Sequence, residues 1–256
     1  GKWTNLATGS AVIDGLAVRA GCPTTNLDAH ERAMAMGTND ADLWSIGEDI
    51  IARLNKINGS RERALADSRQ IVRLSANAIR AIHRDEFDTA EELLASAREM
   101  QDSLARELID FPNIYWTGYV QDAQKEYAEA RITLGFISGR GIPSPADLGV
   151  EDAVYLNGLG ESAGELRRYA LDSMRRNNHD RAEHLLDAMN EIYDLLVSVD
   201  YPDAVTGGLR RTTDMVRGVL ERTRGDLTLA LRQRELTEAL SHAETVLLAI
   251  RVDPNA

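Results

Sequence analysis

After residue 38, apolar residues recur at steps of three and four along nearly the whole chain, the spacing that gathers them on one face of an α-helix. Leu43, Ile46, Ile50, Leu54 and Ile57, followed by Leu65, Ile71, Leu74, Ala78 and Ile82, predict one long helix over residues 39–83. Asn39 or Asp40 fits its N-cap. At about 1.5 Å per residue it extends on the order of 65 Å. Gly47 and Gly59 each weaken it by about 1 kcal/mol relative to Ala, which makes Gly59 the candidate for a kink or break. Further helices are predicted over 90–109, 116–138, 152–176, 182–199, 205–220 continuing towards 234, and then to about 250, with a loop at 139–145. The stretch Asp85-Glu86-Phe87-Asp88-Thr89-Ala90-Glu91 is echoed by Asn177-Asn178-His179-Asp180-Arg181-Ala182-Glu183. Both read as helix starts, with Asp88 and Asp180 as N-caps and Glu91 and Glu183 in capping-box spacing. No strand alternation follows residue 38. The expected class is all-α: an antiparallel bundle of six or seven helices with a long first helix, spanning 39–256.

Residues 1–38 break this pattern, with scattered Gly, Thr and Pro and no sustained period. They read as an irregular or mobile tail, or as translated upstream sequence ahead of Met34 or Met36. The apolar run 11–20 lacks the basic leader and cleavage context of a signal peptide, so a cytoplasmic location is expected.

Composition narrows the function classes. A chain of 256 residues buries a core without covalent staples, and the single cysteine, Cys22, cannot close an internal disulfide. With 43% hydrophobic and 27% charged residues the chain is not intrinsically disordered, and no apolar run reaches the length that spans a membrane. The net charge of -12 excludes a protein coated in nucleic acid. Any such contact must be local.

Phosphate-binding glycine loops, paired CxxC elements and HExxH are absent. What remains is carboxylates at helical spacing. Glu126 and Glu129 share one face of their helix, with Asp122 one turn earlier, and Glu161 and Glu165 share a face of the next long helix. The loop between the two makes them antiparallel neighbours. Four carboxylates brought together stay ionised only beside a cation or arginines, and hard oxygen donors suit Mg2+ or Mn2+, the metals of hydrolysis at phosphorus. The same spacings also fit ordinary solvated helix faces. A di-iron oxidase bundle would require Glu-x-x-His, which neither segment contains, and a plain helical scaffold would bind neither metal nor RNA. His83, His179, His184 and His242 read as surface or capping residues. Gly158, Gly160 and Gly164 weaken a helix, which is explained by close approach of another helix or a substrate backbone. Arg167, Arg168, Arg175 and Arg176 follow the second acidic pair, and Arg210, Arg211, Arg217, Arg222 and Arg224 line a later helix. An arginine beside the carboxylates can hold a phosphate bidentately, while salt bridging accounts for any single one. Tyr115, Trp116 and Tyr119 fit either base stacking or packing between helices.

The run Tyr155-Leu156-Asn157-Gly158-Leu159-Gly160-Glu161-Ser162-Ala163-Gly164-Glu165-Leu166-Arg167-Arg168 resembles the signature of the translin family. The likeness extends over about residues 40–234. It implies an all-helical fold and a homo-oligomeric, octameric barrel that binds single-stranded RNA or DNA inside. In the translin-associated factor X branch it also implies Mg2+-dependent endoribonuclease activity. Glu126 and Glu129 match that branch's ExxE, and Glu161 and Glu165 match its Asp-x-x-x-Glu, with Glu161 one methylene longer than the family's Asp. The resemblance therefore makes Glu126, Glu129 and Glu161 metal ligands and Glu165 a fourth ligand or water-positioning base. Arg167, Arg168, Arg210 and Arg211 become the candidate nucleic-acid contacts. Residues 112–125 hold no arginine, so the basic nucleic-acid segment of translin is missing there. The alternative is a barrel that binds RNA or DNA without cleaving it.

Overall fold

The computed structural model describes the backbone of residues 39–252 and side chains from 43 to 248. The tail 1–38 and the side chains of the candidate caps Asn39 and Asp40 lie outside the described residues. Among those described there are nine helices and no strand: α1 (Asn39–Ile82), α2 (Phe87–Glu107), α3 (Pro112–Tyr115), α4 (Gly118–Ser138), α5 (Pro145–Leu148), α6 (Asp152–Arg175), α7 (His179–Ser198), α8 (Asp203–Thr206) and α9 (Leu209–Val252). Six are long, and three are single turns. The all-α expectation holds. Continuity of α1 through Gly59 removes the expected break, and α9 is one 44-residue helix where two segments were expected.

The described residues fall into two units that part after Leu54, 39–54 and 55–252. In the first, the apolar stripe Leu43, Ile46, Ile50 and Leu54 is exposed. The second holds a continuous core that includes Ile71 and Ile82 from α1, Leu94 from α2, Ile132 from α4, Leu166 from α6, Met189 from α7 and Val216 from α9. Helix α6 is central, packing on α4, α7 and α9. The missing Cβ atoms of Gly158 and Gly160 allow this. A Cβ on Gly158 would lie 3.0 Å from the Lys125 carbonyl oxygen and 3.1 Å from both Ala128 Cβ and Glu129 N. One on Gly160 would lie 2.3 Å from Thr212 Cγ2 and 3.2 Å from Leu196 Cδ1.

The echoed segments turn out to share a joint rather than a cap. Asp85 (φ 60°) and Asn177 (φ 58°) both adopt the left-handed conformation after α1 and α6, a region that Asp and Asn tolerate better than other residues with a side chain. The N-caps are Glu86, with no side-chain hydrogen bond, and Asn178, whose Oδ1 accepts from Arg181 N. Asp88 and Asp180 sit inside the first turn instead, where they complement the helix dipole.

Short helices are pinned by buried amides. Gln101 Nε2 donates to the Leu148 carbonyl at 2.9 Å, holding α5 against α2. Asn157 Nδ2 donates to the Thr206 carbonyl at 2.9 Å while its Oδ1 accepts from Thr212 Oγ1 at 2.6 Å, tying α6 to both α8 and α9. Gly207 and Gly208, at φ 62° and 83°, make the tight corner between α8 and α9.

Candidate functional site

Close approach of α4 and α6 at Gly158 brings their acidic faces together. Glu126, Glu129 and Glu161 each present a carboxylate oxygen within 4.8 Å of the other two. Glu129 is 9% exposed, and burial, then the charges of Glu126, Glu161 and Glu165, push its carboxyl up to about 8. Burial and then the Glu161 charge also raise Glu126 above the usual carboxylate range. Lys125 offsets part of this repulsion, its Nζ donating to Glu161 Oε1 at 2.8 Å. Burial works against its charge, yet the hydrogen bond and the surrounding carboxylates hold its ammonium above the ordinary lysine value.

The fourth predicted carboxylate has a different partner. Glu165 Oε2 lies 2.5 Å from His83 Nε2 and 3.6 Å from Arg168 Nη1. The His83 hydrogen bond is the main reason its carboxyl falls below the ordinary range. Its charge still reaches Glu129. The reading of His83 as a surface or capping residue is corrected here, because its side chain is only 5% exposed beneath α6. His179 is also buried, with Nδ1 3.2 Å from the Asn177 carbonyl, whereas His184 and His242 are exposed as expected.

A groove of about 650 Å3 opens beside the cluster, lined by Asp122, Lys125 and Glu161 on one side and by Gly207, Gly208 and Arg211 on the other. Of the four candidate arginine contacts, Arg211 reaches this groove. Arg210 is exposed and does not line it. Arg167 is engaged away from the carboxylates, donating to Thr223 Oγ1 at 3.0 Å and Asp226 Oδ2 at 2.8 Å on α9. Arg168 is exposed beside Glu165. Tyr115 packs edge-on against Trp116, with ring centroids 5.2 Å apart, and Trp116 is exposed.

The donor set fits a hard divalent cation: three carboxylate oxygens in reach of one another, one of them on Glu129, whose carboxyl is raised by burial and by the neighbouring glutamates. Sequence reasoning missed Lys125, which sits one residue before Glu126, and Asn157, one turn before Glu161 on the groove wall. Their i−1 and i−4 positions relative to those glutamates were the available signal.

No family model matches the chain. An uncharacterized protein of Methanocaldococcus jannaschii is 32% identical over 198 residues, covering 76% of this chain and 87% of the relative. Among solved structures, AfC3PO in complex with duplex RNA is similar at 34% identity and TM-score 0.68, covering 73% of this chain and 97% of that one. AfC3PO alone gives 32% identity and TM-score 0.67 over the same shares. Apo-NeC3PO, at 22% identity and TM-score 0.65, covers 72% of this chain and 96% of that one, and shares the fold. The C3PO proteins are translin-family proteins, and with this identity across nearly their whole length the chain belongs to the translin family.

Proposed function

We propose that the protein is a Mg2+- or Mn2+-dependent endoribonuclease that acts on single-stranded RNA, also binds single-stranded DNA, and works as a homo-octameric barrel in the cytoplasm. The observation that carries this reading is the convergence of Glu126, Glu129 and Glu161 from two helices beside a groove whose far wall carries Arg211 together with Asp203. These three carboxylates would hold the cation. When bound, it supplies electrostatic stabilisation of the charge that develops on a phosphate oxygen. Glu165, kept ionised by His83, is the group suited to orient a water and accept its proton. Lys125 and Arg211 face the groove and are placed to hold the RNA phosphates. The similar AfC3PO has been captured with duplex RNA, which supports RNA as the polymer. No helix among the described residues is long and apolar enough to cross a membrane.

A second reading, RNA binding without cleavage, is favoured by the Lys125–Glu161 ion pair, which neutralises part of the cluster without a metal. End-labelled single-stranded and duplex RNA, incubated with and without Mg2+, separates the two. The first reading expects Mg2+-dependent cleavage of the single strand, abolished in Glu129→Gln while RNA binding persists. Binding with no cleavage at any Mg2+ or Mn2+ concentration overturns it and leaves the second.

A further inference from the structure

The glutamate cluster already holds a positive charge of the chain's own. Lys125 Nζ donates to Glu161 Oε1 at 2.8 Å, yet Lys125 also lines the groove that Arg211 faces. The two side chains are 22% and 31% exposed, so the pair stands at the rim of the cluster, open to solvent. The root of the lysine is fixed. Its carbonyl oxygen lies where α4 presses on α6, 3.0 Å from the place a Cβ on Gly158 would take. What can move is the four-carbon stem, and its ammonium is a point charge that exchanges one oxygen anion for another without a demanding geometry. An ammonium and a divalent ion on one carboxylate repel each other. The divalent ion would draw on Glu126 and Glu129 as well as Glu161, which gives it the stronger hold. Asp122, one turn earlier on the same groove wall, is exposed, and an exposed ion pair would retain the displaced ammonium only weakly.

We infer that Lys125 is an RNA-phosphate contact released by the cation: Glu161 holds its ammonium while the three glutamates carry no metal, and gives it up to the groove on becoming a ligand. The inference rests on the proposed reading of the glutamates as a metal site, and adds that the chain uses one lysine to link its two ligands. Such linkage is reciprocal. Whatever factor the cation adds to RNA affinity through Lys125, RNA adds to cation affinity. A strand that meets the metal-free groove finds this lysine occupied, so RNA is held most firmly where the ion is already in place.

Fluorescence anisotropy with a labelled single-stranded RNA tests this on the full chain, in EDTA and in saturating Mg2+ at matched ionic strength, with a gel showing the RNA intact after each titration. In EDTA, wild type and Lys125→Met should bind RNA alike. In Mg2+, wild type should bind about fivefold tighter than Lys125→Met, the worth of one exposed charged contact. The salt dependence of affinity in Mg2+ should be steeper for wild type by about 0.7 in log–log slope, one further phosphate neutralised. Glu161→Gln releases the ammonium with no metal at all. In EDTA it should bind RNA about fivefold tighter than the double variant Glu161→Gln/Lys125→Met. The same loss from Lys125→Met in EDTA and in Mg2+ would make Lys125 a constant contact, and no loss in either would make it a structural ion pair. Either result overturns the inference, as does a wild-type protein that binds no RNA. Calorimetry separates the two levels: without Mg2+ binding the metal reading falls and the inference with it, whereas with Mg2+ bound and either of those results, the inference falls alone.

Discussion

Raising the pH from 7 to 9 should tighten Mg2+ binding about tenfold, and the reason lies at Glu129. Its carboxyl titrates at about 8, driven there by burial and by the three neighbouring glutamates. A cation that uses it as a ligand must first expel its proton. With that value the apparent affinity is weakened by a factor of about 11 at pH 7 and about 1.1 at pH 9, a difference of about 1.4 kcal/mol. Isothermal titration calorimetry of Mg2+ into the metal-free protein, in pairs of buffers with different ionisation enthalpies, reads both quantities. Proton release should be about 0.9 per ion at pH 7 and about 0.1 at pH 9, with Glu126, also raised, adding to the release on the acid side. The same shift acts on folding. Glu129 binds its proton more tightly folded than unfolded, so its contribution to stability is full below about pH 4.5 and declines as pH rises to about 8. Metal-free protein should therefore lose stability over that window, and Glu129→Gln should flatten the loss. A Mg2+ affinity constant between pH 7 and 9 with no proton release would refute the reasoning, since it would mean that Glu129 either is ionised already or takes no part in binding.

Lys125→Met removes a competing cation from Glu161; calorimetry should show Mg2+ binding tightened about fivefold, the equivalent of about 1 kcal/mol, while filter binding shows weaker RNA retention. Asn157→Ala leaves the Thr206 carbonyl and Thr212 hydroxyl without their buried partner, and urea denaturation should show a loss of about 1–3 kcal/mol. Gly160→Ala inserts a Cβ into the Thr212 and Leu196 side chains; it should destabilise by about 1–3 kcal/mol, lowering the thermal midpoint without changing which metal binds. His83→Asn removes the group that keeps Glu165 charged, and the pH-activity profile of RNA cleavage should move to higher pH as Glu165 regains a more ordinary carboxyl value.

The carboxylate pairs were legible because each lies within one helix, where i,i+3 and i,i+4 spacing alone fixes a shared face. Their meeting was legible only through the short connection between α4 and α6, and the glycine that permits it, Gly158, was recognised as a packing feature without its partner. His83 was misread for a definite reason: it follows the last apolar residue of α1, so periodicity sees a helix end, and its burial comes from α6, 82 residues further on. Arg167 fitted either a phosphate contact or a salt bridge in sequence, and a helix 59 residues away decides for the second by supplying Asp226. The echo around Asp85 and Asn177 was visible, but propensity favours Asp as a cap, and the backbone uses Asp85 and Asn177 as left-handed hinges instead. Local order thus carried the elements. Long-range contacts decided which side chains were tied up.

The ammonium of Lys125 resting on Glu161, together with the proton retained by Glu129, leaves the three-glutamate cluster with roughly one uncompensated negative charge at neutral pH. A subunit so nearly balanced can leave the ribosome, acquire its shape and persist with nothing bound between the glutamates. If the cluster holds a divalent ion as proposed, chelators should strip it reversibly without unravelling the protein, and the ion taken up would reflect whatever the surroundings offer the finished molecule.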